Sequence, residues 1–211
     1  MTDPADTDQE EARYARIELA YQEARFALCA VLGEEFLGDY PKHGVGWALL
    51  GLAYMKLSRY TEAQAALKRA IRFVAEDHRA MPYAWMGDLY ARKGDHRRAA
   101  WWYEKIILEA PDDGRGYLYL GMAQSRVGKH VEAETAFRKA LETGGVDLFE
   151  ARLNLAYALR AQERWDESLA ELEQLALAPT ESVRAEIALA DVRAVVRHRR
   201  TSSFRVIQGQ G

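Results

Sequence analysis

Five histidines stand at positions 43, 78, 96, 130 and 198, and a single cysteine stands at 29. No two of these histidines have the short helical or loop spacing that metal ligands use, and no histidine lies near Cys29 in sequence to act as its base; a partner in space is left open. His96 and His130 recur at one place in a repeated pattern, which marks them as turn residues. One thiol cannot form an internal disulfide, and a thiolate metal site would need ligands from elsewhere. The Gly144-Gly145 pair lies where a helix should end, outside any phosphate-cradling glycine loop. Arg199-Arg200-Thr201-Ser202-Ser203 has the basic-then-hydroxyl order read by basophilic kinases, a pattern short enough to arise by chance. The expectation is therefore a chain that is not an enzyme, with no catalytic residue, no metal and no cofactor.

With 211 residues, 49% hydrophobic and 29% charged, the composition is that of an ordinary soluble protein. The longest apolar runs, such as WALLGLAYM from Trp47 to Met55, are far too short to span a bilayer. The N-terminus is acidic where a secretory signal would be basic and then apolar, so a cytoplasmic location and no membrane span are expected. Residues 1–12 hold Asp3, Asp6, Asp8, Glu10 and Glu11 with no Lys or Arg, a charge of -5. From Pro179 onward, six arginines stand against Glu181, Glu186 and Asp191, a charge of +3. A tail without interleaved aromatics reads as a solvated terminal helix, and no nucleic-acid partner is expected.

The elements that position everything else are repeats. WALLGLAYMKLSRYTEAQAALKRAI from Trp47, YAWMGDLYARKGDHRRAAWWYEKII from Tyr83 and YLYLGMAQSRVGKHVEAETAFRKAL from Tyr117 align, with Gly51, Gly87 and Gly121 spaced by 36 and 34 residues. A fourth copy, LNLAYALRAQERWDESLAELEQL from Leu153, puts Ala156 at the glycine position, and Ser168 where Ala63, Ala99 and Ala133 stand. Each copy carries apolar residues at helical spacing, a break around Ser58, Gly94, Gly128 or Glu163, and a second helical run; Pro111 and Pro179 close two of them. Each copy is thus a pair of antiparallel helices. The small residues Gly51, Gly87, Gly121 and Ala156 are expected opposite Ala63, Ala99, Ala133 and Ser168. Leu67, Tyr103, Phe137 and Leu172 are expected to meet the neighbouring pair.

The pattern Trp47-Leu50-Gly51-Tyr54-Ala63-Leu67-Ala70, echoed by Tyr83-Met86-Gly87-Tyr90-Ala99-Tyr103-Pro111 and Tyr117-Leu120-Gly121-Ala133-Phe137-Ala140, resembles the tetratricopeptide repeat family over about residues 44–180. Departures are Gln124 for the usual tyrosine, Ile106 for alanine, and two extra residues near His78-Arg79. The resemblance implies an all-α fold: a right-handed superhelical solenoid of antiparallel helix pairs with capping helices at both ends. The expected organisation is an acidic flexible N-terminus over 1–8 and a leading helix or degenerate helix pair over 9–43. Repeats follow over 44–79, 80–113 and 114–147, then a degenerate fourth over 148–180, a capping helix over 181–199 and a flexible tail over 200–211. In the capping helix, Val183, Ile187, Ala190 and Ala194 form the apolar side.

The resemblance also implies a concave face built from the first helix of each pair. Its groove residues would be Val45, Ala48, Leu52 and Met55; Met81, Ala84 and Asp88; Arg115, Leu118 and Met122; and Glu150, Leu153 and Tyr157. Lys56, Arg92, Arg126 and Arg160 would form a basic edge, either a ladder for acidic residues of a partner or simply a common cation position. The two-Lys, two-Asn, one-Arg clamp of the co-chaperone branch is missing. Its places hold Ala48, Leu52, Trp85, Arg115 and Tyr119 or, one repeat on, Ala84, Asp88, Tyr119, Glu150 and Asn154. Trp102 shares the core-facing side of its helix with Ala99 and Ile106. Trp101 faces outward among Arg97, Arg98, Glu104 and Lys105, as a cation-aromatic stack or as a second contact surface. The expected function is a protein-protein interaction adaptor or scaffold, a monomer or weak homo-oligomer. A dedicated chaperone for a secretion or pilus component and a self-associating structural subunit are the alternatives.

Overall fold

A computed structural model describes residues 4–176, 186, 187 and 189–197; Val183 and the Arg199–Ser203 motif lie outside the described residues. Among these every regular element is helical. The elements are α1 (Pro4–Gln22), α2 (Phe26–Asp39), α3 (Gly44–Lys56), α4 (Tyr60–Phe73), a 3-10 turn at Glu76–His78, α5 (Ala80–Arg92), α6 (His96–Glu109), α7 (Gly114–Arg126), α8 (His130–Thr143), α9 (Leu148–Ala161) and α10 (Trp165–Ala176). Residues 186, 187 and 189–197 are helical again. Consecutive helices pack as pairs, and the chain forms two compact units, Met1–Glu109 and Ala110–Gly211.

Local chemistry sets the helix starts. His43 Nδ1 accepts from the Gly46 amide at 2.9 Å at the head of α3, Asp113 from the Arg115 amide at 3.0 Å before α7, and Asp147 from the Phe149 amide at 2.9 Å before α9. The turn inside each pair is also built one way. At Ala24, Ser58, Gly94, Gly128 and Glu163 the chain takes φ of 57°, 59°, 77°, 81° and 62°. The next amide then reaches back five residues, as Arg25 to Ala20, Arg59 to Tyr54, Asp95 to Tyr90, Lys129 to Gln124 and Arg164 to Leu159, all within 2.8–3.0 Å.

That common turn identifies α1–α2 as a pair in the same register as the other four. Counting back 34 residues from Gly51, Ala63 and Leu67 gives Ile17, Cys29 and Gly33, all buried. The large and small members are exchanged, with Ile17 where the others have glycine or, in the last pair, Ala156, and Gly33 where they have a large side chain. Cys29 takes the small-residue place, and burial pushes its thiol up to about 11, which disfavours the thiolate. α1 also starts at Pro4, inside the segment expected to be flexible. Proline fits a helix's first position, and acidic residues have the sign that a helix N-terminus favours.

The packing refines one expectation and changes another. A Cβ on Gly51, Gly87 or Gly121 would come within 2.8, 2.2 and 2.6 Å of Leu67, Tyr103 and Phe137. The glycines therefore seat the large residues of their own pair, and Phe137 and Leu172 also meet the next element as expected, Phe137 in one cluster with Ala151 and Leu155 of α9 and Leu172 in one with Leu189 and Val192. The small residues meet as well: a Cβ on Gly51 would lie 3.4 Å from the Ala63 carbonyl oxygen, and Ser168 Oγ donates a 2.8 Å bond to the Ala156 carbonyl. The helix at 186–197 buries Leu189, Val192 and Val196 against Leu153, Ala156, Leu172 and Leu175, and leaves Ile187, Ala190 and Ala194 exposed. The register is rotated from the one expected, because the larger side chains remove more apolar area from water than the alanines would.

Candidate binding faces

The first helices of successive pairs present their residues in rows. In the first unit α3 packs beside both α1 and α5; in the second, α7 packs beside α9. This packing sorts the expected groove. Ala48, Leu118 and Leu153 are buried, with Ala84 of the same row half-buried, and Met55 is also buried. Leu118 lies in a core cluster with Phe137, Ala151 and Leu155, and Leu153 lies under Leu189, Val192 and Val196. These residues are core rather than groove, since their row points at the adjoining helix.

Two rows stay open. One holds Val45 and Met81, 53% and 44% exposed, in the first unit, and Arg115 and Glu150 in the second. The other holds half-buried Leu52 and Asp88 in the first unit, and Met122 with the exposed Tyr157 in the second. The second unit's outer row is already engaged: Arg115 pairs with Asp113 at 2.6 Å, which holds that carboxyl below the usual range. Asp88 is the polar member of the first unit's strip. It accepts a 2.9 Å hydrogen bond from Tyr103 Oη; burial pushes its pKa up, against the pull of that bond and of Arg92.

The α1–α2 pair adds residues to the first unit's face. One repeat period before Val45, Ala48, Leu52 and Met55 stand Glu11, Tyr14, Glu18 and Tyr21, with Glu11 and Glu18 exposed. The 34-residue period that relates repeats 2 and 3, run backwards from repeat 1, is the signal that would have found them.

Each residue of the basic edge sits in the last turn of its helix: Lys56 in α3, Arg92 in α5, Arg126 in α7 and Arg160 in α9. A cation there offsets the negative end of the helix dipole, by about 0.3–1 kcal/mol at an exposed site, which accounts for its recurrence. Lys56 Nζ also lies 6.0 Å from the Phe26 ring centre, and the Arg160 guanidinium 5.1 Å from that of Tyr157. Trp101 is 50% exposed, edge-on to Trp102 at 4.7 Å, with Lys105 Nζ 5.0 Å from its ring centre; Trp102 in turn lies 5.7 Å from Tyr83. The cation-aromatic stack is thus present at Trp101, on Lys105.

Comparison with known proteins follows the geometry. A sequence profile described as tetratricopeptide repeat matches residues 48–113, 85–147 and 118–183. The "Cytochrome c-type biogenesis protein CycH" of Rhizobium meliloti is 35% identical over 120 residues, 54% of this chain and 30% of that protein's length. A tetratricopeptide repeat protein from Parabacteroides merdae superposes with a TM-score of 0.75 at 16% identity, covering 95% of this chain and 78% of that one. YrrB, described as a TPR protein with an unusual peptide-binding site, gives 0.68 at 16% identity, covering 87% and 94%. At such identities the structures show the fold, and the profile covers well over half of the residues. With its helix pairs, recurrent turns and glycine-seated large residues, the chain belongs to the tetratricopeptide repeat family.

Proposed function

We propose that this chain is a non-catalytic interaction module that holds a peptide or helix of a partner protein on the open rows of its first helices. The observation that carries this reading is the exposure of Val45 and Met81, with Leu52 half-open between their helices' other residues. Apolar side chains at these places fill no core, and a methionine adapts to irregular partners. The description of YrrB as peptide-binding supports it. Photo-crosslinking tests it: a benzophenone side chain at Leu52 or Met122 should capture a partner in the source cell's lysate, and one at exposed Val131 on α8 should not. Equal capture at Val131, or none at Leu52 and Met122, would sink the reading.

The similarity to CycH favours a second, narrower reading, a part in the biogenesis of c-type cytochromes. It would specify the chaperone alternative with a different client. Deleting the gene should then lower covalently haem-stained c-type cytochromes, and unchanged levels would exclude this role. The single cysteine, Cys29, is buried, and with no second thiol in the sequence the fold uses no internal disulfide. The cytoplasmic setting expected from the short apolar runs and the acidic N-terminus and a more oxidising one would both suit it.

A further inference from the structure

Trp101 stands on a second helix, α6, and so belongs to neither open row of the first helices. It is half exposed, yet its ring is held: it stands edge-on to Trp102 at 4.7 Å, and Trp102 lies 5.7 Å from Tyr83 of α5. An indole already fixed in place loses little freedom on docking, which makes it a strong anchor. One repeat earlier the same two places hold Ala65 and Ala66, and Trp47 stands where Tyr83 stands. Trp102 fills the space beside Tyr83. Ala66 leaves the space beside Trp47 open, as a cleft of about 420 Å³ whose lining includes Leu37, Gly38, Trp47, Leu50, Ala65 and Ala66. Clefts that bury small ligands run from about 300 to 1,000 Å³, so this one admits an indole. The first unit therefore carries a projecting tryptophan and, one repeat away, an apolar cleft of a size to take one.

Charge selects the occupant. α2, one wall of the cleft, carries Glu34, Glu35 and Asp39 and no Lys or Arg. One turn to either side of Trp101 stand Arg97 and Lys105, with Lys105 Nζ 5.0 Å from the ring centre. Seating Trp101 in such a cleft brings these cations toward Glu34 and Glu35, while Asp39 is already paired with Arg13 at 2.7 Å. Arg69, the cation among the lining residues, lies 4.4 Å from the Trp47 ring centre, and exposed Glu104 of α6 has the sign to meet it. Because tryptophan and cleft lie one repeat apart on one unit, a two-fold axis forms both contacts at once. We propose that the chain forms a closed dimer with a second copy of itself, Trp101 of each copy seated beside Trp47 and Ala66 of the other.

This inference stands apart from the peptide-binding rows, since Trp101 and Ala66 lie on second helices. The experiment is light scattering after size exclusion, run on the full-length chain across a concentration series. Wild type should reach twice the monomer mass, and added salt should weaken the dimer. Trp101→Ala should raise the dissociation constant by about 10-fold or more. Ala66→Trp, which copies the second repeat, should fill the cleft and do the same; Ala66 is 2% exposed, so a melting curve accompanies it. Gly38→Arg blocks the cleft even if Ala66→Trp folds poorly, because a Cβ at Gly38 meets nothing within 4 Å. Mixing Trp101→Ala with Gly38→Arg should give a mixed dimer tighter than either variant alone, since one copy keeps its cleft and the other its tryptophan. A mixture no tighter than its components, or growth beyond two copies, would overturn the closed dimer. So would a wild type that stays monomeric at every concentration, which would leave the cleft to an aromatic side chain of another protein. A dimer that survives both cleft variants would overturn the cleft as the seat, and one that survives Trp101→Ala would overturn the anchor.

Discussion

The two units present the same repeat rows with different chemistry. In the first, the outer row is apolar, Val45 and Met81, and the inner row mixes Leu52 with a partly buried carboxylate, Asp88. In the second, the outer row is charged, Arg115 and Glu150, and the inner row is Met122 and Tyr157. The closed row, by contrast, uses alanine in the first unit and leucine in the second, and the 186–197 helix packs on Leu153. A repeat position therefore fixes which way a residue points, and the adjoining helix decides whether that direction is solvent or core.

The largest test of this contrast compares Leu153→Ala with Val45→Ala in urea unfolding. Leu153→Ala should cost about 3 kcal/mol, because it opens a cavity among Leu172, Leu189 and Val192, whereas Val45→Ala should cost less than about 0.5 kcal/mol. Similar costs would erase the distinction between rows.

Acid should separate the units next. In the second, burial opposes ionisation of Glu134, but hydrogen bonds from Gln162 at 2.9 Å, from Arg138 at 3.0 Å and from Arg164 outweigh it and hold its pKa below the usual carboxylate value. Its stabilisation is therefore complete above the unfolded-state value, about 4, and is lost as pH falls through the lower folded value. Asp88 in the first unit has the opposite shift: its charged form is the disfavoured one, so protonation relieves a cost as pH falls through its raised value. Glu134→Gln should cost about 1–2 kcal/mol at neutral pH, since Arg164 and Arg138 are partly exposed, and should flatten the acid limb of a melting-temperature profile. Asp88→Asn should not flatten it.

Smaller effects follow from equivalent sites filled differently. Tyr54 donates its phenolic hydrogen to Glu34 of α2, and burial followed by that bond raises its pKa to about 12. At the same position Gln124 buries its side-chain Oε1 without a hydrogen-bond partner. Gln124→Leu should therefore stabilise the protein by about 1 kcal/mol in thermal unfolding. Glu163 holds φ of 62° where Gly94 and Gly128 hold the same turn, and Glu163→Gly should raise stability by about 0.5–1 kcal/mol. A loss would mean that its side chain matters more than its backbone.

Much of this architecture was legible because glycines, alanines and aromatics recur at intervals near 34 residues. The α1–α2 segment read only as a leading helix or degenerate helix pair because its contents are inverted: Ile17 and Gly33 exchange sizes, Cys29 replaces an alanine, and Arg13 and Arg16 stand where Trp47 and Leu50 stand one repeat later. The outward direction of Trp101 could be read from helical phase, and that of Val45 and Met81 from the resemblance to the repeat family. The burial of Ala48, Met55, Leu118 and Leu153 could not, since it depends on how closely the next first helix, or the 186–197 helix, packs against them. The approach of Lys56 Nζ on α3 to the Phe26 ring on α2 has no signature along the chain.

The most direct measurement pairs melting and peptide affinity for Leu52→Glu and Leu153→Glu, using a peptide selected on the wild-type chain. The account predicts that Leu52→Glu melts within about 2 °C of wild type and loses at least about 10-fold in affinity, while Leu153→Glu unfolds the second unit. Unfolding by Leu52→Glu, or full affinity retained in it, would contradict the assignment of the open rows as the binding face.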